Sequence, residues 1–332
     1  MDREQEEIQF LGLFGIFKES FNIIFSWRKI FTQITLALIL PLSFIFLAHI
    51  EFSELLFYKI LHDEHMLHHT REGTPRYSKL SDVISSDWIT FWLFKAAYLL
   101  FVLILSLLST SAVVYTVACI YTAKEITFKK VMSVVPKVWK RLMVTFIWNF
   151  VIVFAYNIIA IIVIIVWSLL ATNEAIAITT FVLLFIIYMM GLVYISIVWH
   201  LASVVTVLED SCGIKAMVKS KALIKGKMGV AVVIFLLLML CSIGIQVVFQ
   251  LFVVFGLAPS TGMRIFYGIG CLLLLIGLIL FGLTIQTVVY FVCKSYHHEN
   301  IDKSSLADHL EVYLGDYVPL KAKDVQLEHY QV

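Results

Sequence analysis

The chain has 332 residues, 61% of them hydrophobic and 14% charged, with a net charge of +2. A soluble domain carries about 25% charged residues, so this composition, with a mean hydropathy of +0.94, excludes an ordinary water-soluble globule. Several apolar runs exceed the roughly 20 residues needed to cross a bilayer, so an all-α integral membrane protein is expected.

The opening residues Met1 to Glu7 are mainly acidic, and the first long apolar run begins near residue 30 without a small-residue cleavage site. No secretory signal is expected, nor, with a start other than Met-Gly, is myristoylation. Residues 8–29 carry a helical pattern. Lys18, Glu19, Asn22, Ser26 and Lys29 fall on one side, with Ile16, Phe17, Phe21, Ile24 and Trp27 on the other. A Phe/Trp-rich face with a basic end suits a helix lying in the membrane interface. An early extension of the first span would look similar.

The chain then divides into a membrane domain over 30–293 and a cytosolic tail over 294–332, after the cytosolic segment 1–29. Span 1 covers 30–50, with Pro41 as an expected kink. Residues 51–87 are expected to form a polar loop, with seven Asp/Glu, four Lys/Arg and four of the ten histidines. Span 2 covers 88–120 and is interrupted by Lys95. A basic link, 122–141, precedes span 3 at 142–170. After the short link 171–175 comes span 4 at 176–208, then a second basic link, 209–227. Spans 5 and 6 cover 228–257 and 265–293. The two basic links hold eleven Lys/Arg, whereas the 3–4 and 5–6 links hold only Arg264. The positive side of a membrane protein is cytosolic. Both termini are therefore expected there, and 51–87 faces outside or a lumen, in the plasma membrane or the endomembrane system.

Windows of equal length, 15–29, 127–141 and 213–227, each precede an odd-numbered span. In the second, Phe128, Val131, Met132, Val135, Val138, Trp139 and Leu142 fall on one face, against Lys129, Lys130, Ser133, Lys137, Lys140 and Arg141. The third is less clean, because Lys221 and Lys225 fall on its apolar side. The layout predicts three cytosolic interfacial helices and a threefold internal repeat. Alternatively, any basic link before a span has this appearance. Lys129, Lys130, Lys137, Lys140, Arg141, Lys215, Lys219, Lys221, Lys225 and Lys227 are the expected contacts to anionic head groups, each worth about 1 kcal/mol near the surface before screening.

The run Val207-Leu208-Glu209-Asp210, Gly213-Ile214, Ser220 and Leu223-Ile224-Lys225-Gly226, with the tail run from His309 to Lys321, resembles a plant family of six-span membrane proteins without an established biochemical function. More distantly it is similar to the membrane domain that precedes some bacterial glycerophosphodiester phosphodiesterase domains. The resemblance implies the six-span fold. It implies no activity, because no phosphodiesterase catalytic domain is present.

Candidate chemistry is sparse. If helical, His62, His65 and His69 share a face that could hold a metal, although a solvated polar loop reads the same way. No catalytic constellation is recognisable, so neither an enzyme nor a cofactor is expected. The five cysteines are scattered and imply no disulfide framework, while Cys212 and Cys293 sit at membrane borders where acylation is chemically feasible. Lys95, Asn149, Asn157, His200, Gln246, Gln250 and Gln286 lie inside spans. Of these, Asn149, Asn157, His200, Gln246 and Gln250 are the candidate transport path, and packing between helices is the alternative. Tyr317 to Leu320 fits a tyrosine sorting signal, so the tail could recruit a protein partner. Two functions follow: a membrane-organising protein with a basic lipid-facing surface, or a small-solute or lipid transporter. Nucleic acid is not an expected partner.

Overall fold

A computed structural model describes residues 10–70, 73–122, 126–170 and 174–297. These fold into helices and turns, with no strand among them. The chain starts with α1 (Leu13–Ser26) and α2 (Arg28–Ile34), separated at Trp27, whose φ of −112° and ψ of 29° leave the helical region. A π-helical turn, Thr35–Ile39, leads into α3 (Leu40–His68). Pro41 explains that turn: it has no N–H to donate to Ala37, four residues back. There follow α4 (Pro75–Tyr121), α5 (Phe128–Leu170), α6 (Glu174–Leu208), α7 (Ile214–Leu223), α8 (Met228–Phe249) with a π turn at Gln250–Val254, and α9 (Thr261–Tyr296).

Among the described residues six helices are long and apolar enough to cross a membrane: Arg28–His68, Pro75–Tyr121, Phe128–Leu169, Ala177–Leu208, Met228–Val254 and Thr261–Tyr296. They match the six predicted spans in number and order. Side chains such as Phe150, Ile161, Ile178 and Ile187 stay exposed, the surface that acyl chains cover in a bilayer.

Three expectations need correction. The polar loop 51–87 is not a loop. It is a helical hairpin, in which α3 continues to His68 and α4 already begins at Pro75. Polar contacts tie the two arms together: Lys59 Nζ lies 2.9 Å from Asp87 Oδ2, and Trp88 Nε1 donates to Glu64 Oε1 at 3.2 Å. Secondly, the repeat does not extend to its second copy. Windows 1 and 3 form the separate helices α1 and α7, but 128–141 is continuous with span 3 in one 43-residue helix that contains Pro136. Its apolar face is already covered, with Val131, Val135, Val138 and Leu142 no more than 1% exposed. Such a helix has no need to bend into the lipid interface. Lastly, span 6 does not end at 293. Lys294 and Tyr296 belong to α9, not to the tail.

In α1 the buried face is Ile16, Glu19, Ser20 and Ile23, while Phe14, Phe21 and Phe25 point outward. The helix packs along α9, where Phe17 stacks on Phe281 at 5.7 Å. The base of the hairpin and the α8–α9 connection share the opposite pole. There Arg264 Nη2 pairs with Glu51 Oε1 at 2.5 Å, and Gln250 Nε2 donates to Glu54 Oε1 at 3.4 Å. The predicted tail from residue 298 on, including Tyr317 to Leu320, and the 3–4 link at 171–173 lie outside the described residues.

Candidate functional site

The stretch 207–227 folds into a junction that ties four helices at one pole. Glu209 follows the last turn of α6. Its Oε1 accepts from Tyr290 OH at 2.6 Å and from Lys294 Nζ at 3.1 Å, both on α9. Its Oε2 pairs with Lys219 Nζ of α7 at 2.6 Å. Arg141 of α5 closes the ring, with Nη2 donating to the Glu209 carbonyl oxygen at 2.5 Å and Nη1 lying 3.3 Å from Asp210 Oδ1. Burial alone would raise the Glu209 pKa. Hydrogen bonds from Lys219 and Tyr290 and the positive charges of Lys294 and Lys219 outweigh it, so the carboxyl stays below its ordinary value.

Backbone geometry fixes the rest of the junction. Gly213, at φ +62°, starts α7, and its N–H donates to Thr145 Oγ1 at 2.9 Å. Ser220 Oγ donates to the Val198 carbonyl at 2.7 Å and holds α7 against α6. Gly226, at φ +91°, ends the turn after α7 beneath the Tyr296 ring, where a Cβ would collide with the ring. His297 Nε2 lies 3.0 Å from the carbonyls of both Leu223 and Lys225 and donates to them.

This junction sorts the ten predicted head-group contacts. Lys129, Lys130, Lys137 and Lys140 are exposed along the start of α5, and Lys215, Lys221 and Lys225 are exposed on α7 and the turn after it. Lys219 and Arg141 are instead built into the ring around Glu209. Lys227 Nζ sits over the Tyr296 ring, 5.3 Å from its centre. Tyr290 and Lys294 escaped the sequence reading. Their partner lies more than 80 residues away in sequence, and no local pattern announces such a pair.

The five candidate path residues do not converge. Among the described residues no hydrogen bond joins any two of them. Asn157 accepts from Tyr188 OH at 2.9 Å and donates to the Val153 carbonyl at 2.7 Å. Gln246 bonds Ser242, one turn back, at 3.1 Å. Gln250 reaches Glu54, as above, and Asn149 Oδ1 is buried without a hydrogen-bond partner among the described residues. His200 Nδ1 lies 3.2 Å from Gln286 Oε1, and Gln286 Nε2 donates to Ser203 Oγ at 3.2 Å. Two cavities meet here. One, of about 390 Å³, lies between α6, α8 and α9, and the other, of about 290 Å³, reaches α3, α4 and α5. Of the five residues, only His200 lines either cavity.

Lys95 is paired at 3.0 Å with His49 Nε2. His65 and His69 have ring centres 4.6 Å apart, and the described residues contain no group of three or more His, Cys, Asp or Glu placed to hold a metal ion. No disulfide joins any of the five cysteines. Cys212 is exposed, whereas Cys293 is buried, so of the two border thiols only Cys212 is open to modification.

Six apolar helices with an ordered polar junction at one pole define a multi-pass helical membrane protein. The chain belongs to a family described as a domain of unknown function, DUF8558, whose model matches residues 1–330. That match carries neither the plant resemblance nor a phosphodiesterase link. No curated protein and no solved structure matches the chain.

Proposed function

We propose that this is a non-enzymatic membrane-organising protein whose basic pole binds anionic head groups of the cytosolic leaflet and whose tail recruits a protein partner. The carrying observation is the placement of seven exposed lysines, 129, 130, 137, 140, 215, 221 and 225, on α5 and around α7 at one pole. Glu209 and Arg141 hold those two elements together, which gives the charges a fixed spacing. A cluster of this size reads as an anionic-lipid surface. The same surface attracts proteins with acidic segments less selectively, because water screens exposed charges.

The test uses the whole protein in nanodiscs of mixed phosphatidylcholine and phosphatidylserine, with co-purifying lipid identified by mass spectrometry. Phosphatidylserine should be enriched over the bulk ratio, and the enrichment should fall as salt rises. Changing the seven lysines to Gln together should abolish it. Unchanged enrichment in that variant, or none in the parent protein, would reject the reading.

A second reading, transport of a lipid or small solute, is favoured by the paired cavities beside His200. Uptake or lipid exchange in proteoliposomes tests it directly. Transfer above that of protein-free vesicles would support it, and no transfer would leave the organising role.

A further inference from the structure

The two cavities beside His200 share that residue with Ser242, Leu275, Ile279, Leu283 and Gln286, so they adjoin along one wall. They differ in chemistry. The larger is walled by aliphatic and aromatic side chains such as Ile234, Phe235 and Leu278. The smaller adds the hydroxyls of Ser106, Ser109, Thr110, Thr145 and Ser203.

Hydrogen-bond directions set the state of the imidazole. Ser203 Oγ donates to the His200 carbonyl at 2.7 Å, so it accepts from Gln286 Nε2. The amide oxygen of Gln286 therefore faces His200 Nδ1, and that nitrogen carries the proton. In the neutral ring Nε2 is then an acceptor, and it has no hydrogen-bond partner among the described residues. The ring itself is held between Trp199, with centres 5.0 Å apart, and Phe235, at 5.7 Å. Ser109, which also lines the smaller cavity, is 0% exposed and its Oγ has no hydrogen-bond partner among the described residues. A buried polar atom without a partner, such as Ser109 Oγ, costs free energy that a ligand's polar group can offset.

We propose that the paired cavities bind a neutral lipid with one free hydroxyl. The hydroxyl sits in the smaller cavity, donating to His200 Nε2 and accepting from Ser109 Oγ, while the apolar body fills the larger. A hydroxyl is both donor and acceptor and can satisfy both groups at once. Neither cavity is lined by Lys, Arg, Asp or Glu. A carboxylate or an ammonium head would be an unpaired buried charge and is rejected. The larger volume lies within the range of small-molecule sites, about 300–1,000 Å³. The proposal does not depend on the basic pole, and it names a ligand class for the second functional reading.

The test photolabels the full-length protein in nanodiscs with two diazirine probes of this chemistry, a sterol and a long-chain alcohol. The matched long-chain carboxylic acid and the hydroxyl-free alkane serve as controls. Saturable labelling by at least one hydroxyl probe should map to residues 197–209 or 275–289, at about tenfold the level of both controls. The stronger of the two hydroxyl probes identifies the source as ring-shaped or chain-shaped. Ser109→Ala, which deletes one oxygen, should weaken labelling about fivefold, as should His200→Phe, which keeps an aromatic ring. Both variants are first checked for a monodisperse, helical protein, and Ser109→Ala carries the test if His200→Phe does not fold. Equal labelling by acid, alkane and alcohol would mean unselective filling by acyl chains and would overturn the proposal. So would labelling insensitive to Ser109→Ala, or no saturable labelling, the outcome for cavities that hold only water.

Discussion

Glu209 shows how one side chain can carry an entire junction. It is the acceptor for two lysines and a tyrosine drawn from α7 and α9, and its own backbone holds Arg141 of α5. Glu209→Gln keeps the size and a hydrogen bond to Tyr290 but strips the counter-charge from Lys219 and Lys294. Removing one partner of a buried ion pair costs about 3–5 kcal/mol. Lys219 is 37% exposed, so water compensates in part, and the expected loss is about 2 kcal/mol, read as a lower Tm in detergent. The pH dependence follows from the direction of the shift. The folded-state pKa of Glu209 lies below its ordinary 4.5. Its contribution is fully present above that ordinary value and is lost as the pH falls through the lower, folded one. The Tm gap between parent and variant should therefore be constant near neutral pH and close in acid. A gap that widened in acid would show that the carboxylate does not stabilise the junction. Gly226 adds a steric test. With φ at +91° and the Tyr296 ring against it, Gly226→Ala should cost about 1–2 kcal/mol, whereas Gly229→Ala, in a helix with nothing within 4 Å, should be neutral or stabilising. Equal effects would place the strain elsewhere.

At the scale of elements, the apolar spans were legible in the sequence, and the polar ones were not. A run such as Met228 to Val254 declares itself through hydropathy alone. The hairpin built from the ends of α3 and α4 hides, because its seven acids and four histidines read as a solvated loop. Its helicity rests on pairs such as Lys59 with Asp87 and Glu64 with Trp88, on different helices and 24 to 28 residues apart. The equal windows misled for a related reason. Windows 1 and 3 break where the local backbone leaves the helix, at Trp27 and at the Ile224–Lys227 turn. Window 2 has no such break and, with its valines buried, continues as one helix into the span. The candidate site was half legible: its basic stretch stood out, but Tyr290 and Lys294 meet it only through tertiary packing. Hydrogen exchange gives the element-scale check. Amides of residues 54–66 and 78–87 should be protected well beyond the seconds scale despite their polar sequence, since each would be in a helix ladder. Exchange at the rate of an unstructured chain would restore the loop reading.

The whole molecule sets its charge asymmetry against its length. At 1.5 Å per residue, the 47 residues of α4 span about 70 Å, more than twice the hydrocarbon core of about 30 Å. Its apolar stretch runs from about Trp88 onward, so the excess projects on the side of the hairpin, away from the basic pole. The links at that pole carry eleven Lys/Arg against one in the 3–4 and 5–6 links. The insertion machinery retains such loops in the cytosol. The described chain ends at His297 beside Lys225, so its described C-terminal end lies at the basic pole. We therefore expect the pole with Lys130 and Cys212 to face the cytosol and the hairpin to stand out on the far side. In sealed, cytosol-side-out microsomes, a membrane-impermeant maleimide should label exposed Cys212 without permeabilisation. A Lys79→Cys variant, in a background with Cys212 and Cys241 changed to Ser, should react only after the membrane is opened. Trypsin, which cleaves after Arg76 and Lys79, should cut the hairpin under the same condition only. Labelling of Lys79→Cys in intact vesicles would invert the topology. The exposed lysines would then face a leaflet poor in anionic lipid, and the organising role would fall with the orientation. The hydroxyl-lipid site, in the paired cavities beside His200, would stand unchanged in either orientation.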